Sequence, residues 1–78
     1  MGNEQEIFLI QIEKLKSFYP NAKIIYRNRG IVFIDKELIP ELNYLFIRNW
    51  GDTWYTDSVQ NCYESTILAV KAYIYNRE

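Results

Sequence analysis

Polar and apolar positions along this chain change their period several times, and each change marks an element. From residue 4 to 19, Ile7, Phe8, Ile12, Leu15, Phe18 and Tyr19 recur at helical spacing, while Glu13, Lys16 and Ser17 fall away from that face. Asn3 suits the N-cap, Glu4 and Glu6 suit the positive end of the helix dipole, and Pro20 stops the helix. Past Pro20 the period drops to two. Residues 22–28 and 31–35 are rich in β-branched and aromatic side chains, and Asn28-Arg29-Gly30 between them tolerates left-handed backbone, which predicts a hairpin. Residues 36–49 admit two readings. A loop through Pro40 and then a strand over 43–49 is preferred, because Pro40 would remove a donor from inside a helix; a short helix over 36–47 competes with it. A second hairpin turns at Trp50-Gly51 and returns along residues 53–56. Finally, Val59, Cys62, Tyr63, Thr66, Ile67, Val70, Tyr73 and Ile74 make an i, i+3, i+4, i+7 stripe. It predicts a helix capped by Asp57 or Ser58 and running to about Asn76.

This order predicts one compact α+β domain over residues 1–78. Its two layers are a three- or four-stranded antiparallel sheet of two hairpins and, on one face of it, the N-terminal and C-terminal helices, since each helix has a single apolar stripe to bury. The other sheet face is then left partly open, with members of the set Lys23, Ile25, Arg27, Val32, Ile34 and Tyr44 on it. Four apolar residues fall outside both stripes. Leu9 and Ile10 flank the first, and Leu68 and Tyr75 lie opposite the second, so they are candidates for self-association as a homodimer.

Composition narrows the chemistry. The chain of 78 residues is 49% hydrophobic and built from large side chains, with seven Tyr, four Phe and two Trp. Folding a chain this short hides only about 63% of its surface, so shared surface with a partner would help it. It has no His and one Cys, which removes Cys/His zinc sites, internal disulfides and His-dependent nucleophile systems. Apolar runs stop at four residues (Ile7–Ile10, Ile31–Ile34), far below the ~20 of a membrane span. The acidic Glu4 and Glu6 sit where a signal peptide would be basic, and a cytoplasmic location is expected, the host cytoplasm if the chain is phage-encoded. Cys62, on the stripe of the last helix, reads as a small buried hydrophobe.

Three constellations offer function. Trp50 and Trp54, with Tyr44 and Tyr55 nearby, crowd the second hairpin with the side chains in which binding energy concentrates. With Asp52, Glu37 and Glu41 at the rim they form a candidate anchor for another protein, one with a basic surface. Lys23, Arg27, Arg29 and Arg48 form a basic hairpin cluster suited to phosphates. The order helix–strands–helix resembles the double-stranded-RNA-binding domain in topology. That family starts its last helix with lysines where this chain has Ser58-Val59-Gln60-Asn61, and a pI near 5.4 gives no overall basic footprint. The scattered acids Asp35, Glu37, Glu41, Asp52 and Asp57 sit at turns and caps, so neither catalysis, cofactor nor metal is expected of them.

The expectation is a non-enzymatic protein-interaction domain acting by steric occlusion. A bias toward Ile, Asn, Tyr and Lys over Ala and Gly is that of an AT-rich genome. It makes a phage or mobile-element inhibitor of a host enzyme or defence system, anti-CRISPR-like in role, the specific expectation. Nucleic-acid binding through the basic hairpin face is the alternative.

Overall fold

The computed structural model describes residues 4–76. The chain forms α1 (Glu4–Phe18), β1 (Lys23–Arg27), β2 (Gly30–Ile34), β3 (Leu45–Trp50), β4 (Thr53–Tyr55) and α2 (Thr66–Asn76). The strands make one antiparallel meander in the order β1-β2-β3-β4. Alternation then sorts the side chains. Ile24, Ile31, Phe33, Leu45, Ile47 and Trp54 point to one face and are buried with Phe8, Ile12 and Leu15 of α1 and Ala69 and Val70 of α2. Both helices cover that face, as the single apolar stripes require. The predicted cap Asn3 lies outside the described residues.

The first hairpin is tighter than its sequence suggests. Arg27 pairs directly with Gly30, so the loop is the two residues Asn28 and Arg29, with φ of 52° and 58°. Two successive left-handed residues make a type I′ turn, whose twist matches that of the strands. Gly30 is therefore a strand residue, and the left-handed position usually given to glycine is held by Arg29. That arrangement costs energy. Arg29→Gly should stabilise the domain by ~0.5–1 kcal/mol, the relief of left-handed strain less the added unfolded-state entropy, whereas Arg29→Ala should not. Paired urea titrations of the two variants against the parent measure this. In the second hairpin Gly51 alone has positive φ, 61°, and Trp50 pairs with Thr53.

Residues 35–44 are a loop, as Pro40 demands. Asp35 organises it, its Oδ1 accepting the backbone N–H groups of Glu37 and Leu38 at 3.1 and 3.0 Å, while Ile39 plugs the core.

The last helix differs most from expectation. It begins at Thr66, eight residues after Ser58, and Val59, Cys62 and Tyr63 precede it. Tyr63 instead pairs with Trp54, each backbone N–H donating to the other's carbonyl at 2.7 Å, which extends the sheet past β4. Ser58-Val59-Gln60-Asn61-Cys62-Tyr63 contains no strong run of helix formers, so the ladder outcompetes the helix. Cys62 is half-buried in this loop and its thiol donates to the Val59 carbonyl at 2.8 Å; Val59 itself is exposed. Ser65 is the actual cap, accepting from Leu68 N–H at 3.3 Å. Gln11 of α1 completes the helix start: its Oε1 accepts from the Thr66 N–H at 3.0 Å and from the Thr66 hydroxyl at 2.8 Å.

Two further expectations are corrected by packing. Ile7 and Phe18 of α1 are exposed, because the helix rests on the narrower row Phe8, Ile12, Leu15; Phe18 lies under the Lys71 ammonium, 4.5 Å from its ring centroid. Trp54 is not a surface anchor. It is 3% exposed and meets Phe8 edge-on with ring centroids 5.2 Å apart.

Candidate interaction face

No described element covers the sheet face turned away from the helices. Strand register arranges its side chains in rows that run across the strands, because paired residues in an antiparallel ladder point the same way. Ile25, Val32 and Phe46 form one row, being successive partners across β1, β2 and β3. Arg27, Gly30, Arg48 and Tyr55 form the next, spanning all four strands. Lys23 and Ile34 pair on the other side of the apolar row, with Tyr44 beyond β3. The result is an apolar floor between cations. A shallow basin of about 660 Å³ lies over it, lined by Lys23, Ile25, Arg27, Asn28, Val32, Ile34, Tyr44, Phe46 and Arg48.

Gly30 explains why the basic row has a gap. The Phe46 ring crosses it so closely that a Cβ on Gly30 would stand 2.6 Å from Phe46 Cζ and 2.9 Å from the Ile47 carbonyl oxygen. The guanidinium of Arg48 in turn sits 5.1 Å from the Phe46 ring centroid. Along this row the surface thus reads cation, aromatic ring, cation. Arg27 and Arg48 lie two strand spacings apart, roughly 9–10 Å.

Among the described residues no carboxylate lines the basin, although ten of the 78 residues of the chain are acidic. Asp35 and Glu37 border Lys23 and Ile34 only in a separate shallow groove at one end, and the Asp35 carboxylate is already engaged with its own loop. Among the described residues no three His, Cys, Asp or Glu side chains group as metal ligands, and no helix is long and apolar enough to cross a membrane. Burial raises the Tyr19 hydroxyl above its ordinary pKa of 10.0; Tyr19 lies on the helix side, away from the basin.

The residues singled out by sequence are thereby redistributed. Lys23, Arg27, Arg48 and Tyr44 come together on the open face, and Tyr55 and Trp50 share its side by register. Arg29 stands at the turn tip and does not line the basin. Asp52 is in the second turn, and Glu37 and Glu41 are in the loop preceding β3, all three exposed. Trp50 is 63% exposed, while Trp54, four residues on, is in the core. Leu9, Ile10, Leu68 and Tyr75 are all exposed, Tyr75 by 83%. Sequence reasoning missed Phe46, the floor's one aromatic ring. Its alternation with the inward Leu45 and Ile47 was the available signal, obscured by the two readings of residues 36–49. Comparison with family models, with curated proteins and with solved structures returns no significant match to this chain.

Proposed function

We propose that this protein is a non-enzymatic interaction module that acts by covering a surface of another protein, and that its docking surface is the open sheet face. One observation carries the reading. The apolar row Ile25–Val32–Phe46 lies between Arg27 and Arg48 on one side and Lys23 on the other, with no acid among the described residues lining the basin. Such a face suits an amphipathic element whose apolar side is bordered by carboxylates. The sign of the charges favours an acidic partner here, in contrast to the basic partner that acids around the aromatic turn would select. A steric role, including inhibition of a host enzyme or defence system, needs no more chemistry than this.

Nucleic acid is the second reading, because the same cations could meet phosphates. The floor argues for protein. Ile25, Val32 and Ile34 are aliphatic and offer no ring for a base, which leaves only Phe46 and, at the end of the basin, Tyr44 to stack on.

A direct comparison tests both. A synthetic amphipathic helix with Glu seven residues apart and Leu between should bind, shifting the fluorescence of Trp50. Arg27→Glu/Arg48→Glu should weaken it by about tenfold or more, and Leu68→Ser should leave it unchanged. A single-stranded oligonucleotide binding more tightly than the peptide, with a steep fall in salt, would hand the face to nucleic acid. Binding of neither probe would remove the open sheet face as a docking surface.

A further inference from the structure

The chain contains an element that matches its own open sheet face. On α1, residues 6, 10 and 13 fall within one narrow stripe at 100° per residue, on the side opposite the buried row Phe8, Ile12, Leu15. That stripe reads Glu6, Ile10, Glu13, that is acid, apolar, acid, before it ends on Ser17. All three side chains are exposed, Ile10 by 52%, and Leu9 beside them by 47%. Lys14 and Lys16 fall on the flanks of the stripe. Seven residues of helix separate the two carboxylates by roughly 10.5 Å along the axis. Across the sheet, Arg27 and Arg48 are separated by two strand spacings, roughly 9–10 Å, with the Phe46 ring lying over Gly30 between them. Charges, spacing and the apolar centre all correspond.

We infer that the open sheet face receives the outer face of α1 from a second copy of this chain, Glu6 and Glu13 meeting Arg27 and Arg48 while Ile10 rests on Phe46. This rests on the reading of the open sheet face as a docking surface. The two contacting surfaces lie on opposite sides of a two-layer domain, so the contact is heterologous. Copies stack head to tail rather than closing as a twofold dimer, and each added copy leaves a fresh sheet face at one end. One helix face against part of a small sheet buries less than a standard interface, so stacking is weak, appears toward ~1 mM chain and weakens with salt.

Charge reversal tests the pairing on the full chain. Light scattering and sedimentation of the parent should show an average mass that rises with concentration and falls back in high salt. Glu6→Lys/Glu13→Lys should be monomeric, and so should Arg27→Glu/Arg48→Glu, each with the parent's far-ultraviolet circular dichroism. Mixed in equal amounts, the two variants should associate again, since a basic helix then meets an acidic sheet and an acidic helix meets a basic one. A parent that stays monomeric to ~1 mM overturns the inference, as does association untouched by either reversal or a mixture that remains monomeric. Where the peptide of the previous experiment still binds, only the self-stacking falls; where it does not, the docking face falls with it.

Discussion

Trp54→Ala should come close to unfolding this domain, whereas Trp50→Ala, four residues earlier on the same hairpin, should leave its stability within about 0.5 kcal/mol. Trp54 is 3% exposed, stacks edge-on with Phe8 of α1 and belongs to the residue pair that ties the 56–65 loop to the sheet. Truncating it removes a large ring from between the sheet and α1, at a cost of ~3–5 kcal/mol. A domain of this length has a total stability of about 4–12 kcal/mol, so the loss takes a large share of it. Trp50 projects from the outer face with 63% of its surface in water and is no part of the core, so its removal opens no cavity there. Urea unfolding followed by circular dichroism separates the two variants. Equal midpoints would mean that Trp54 does not hold the layers together.

Gly30→Val should destabilise by ~1–3 kcal/mol, even though valine favours strands over glycine. The reason is local. The first atom of any side chain at position 30 meets Phe46 Cζ at 2.6 Å and Cε1 at 2.8 Å, with the Ile47 carbonyl oxygen at 2.9 Å behind them. The ring is half-buried and can swing away from the sheet, but the carbonyl belongs to the ladder and cannot. Moving the ring also breaks the arrangement with Arg48, so the variant should lose the docking face along with stability. In a Phe46→Ala background the same substitution should cost clearly less, the remaining penalty being that of the carbonyl. A thermodynamic cycle over the two sites measures the coupling. Additive effects would show that the ring does not depend on the absent side chain.

The open face and the closed one differ little in composition, which is why their roles could be divided from sequence only in part. Ile24 and Ile25 are identical residues one position apart; the first is in the core and the second is over the basin. Period-two alternation predicted that they part company, and offered Lys23, Ile25, Arg27, Val32, Ile34 and Tyr44 as the set from which the outward side chains come. It left Phe46 out of that set, and Arg48 entered only through the basic hairpin cluster, because their strand was one of two readings of its segment. Nor did it fix the register that sets Arg27 opposite Gly30 and Gly30 opposite Arg48. Register depends on where the turn closes, and this turn closes on Asn28-Arg29, one residue short of the glycine that ordinarily marks it.

Local signals therefore determined the elements, their order and the residues with no place inside: Leu9, Ile10, Trp50, Leu68 and Tyr75 are all exposed. These follow from periodicity, which is a property of near neighbours. Tertiary structure alone decided the rest. It drew Tyr63 out of a helical pattern into pairing with Trp54, delayed α2 until Thr66 could be held by Gln11, and sent Trp54 inward and Trp50 outward. It also gathered three cations from β1 and β3 around one apolar floor. Each of those outcomes hangs on a contact between residues distant in the chain, and such a contact leaves no mark on the local alternation of polar and apolar positions.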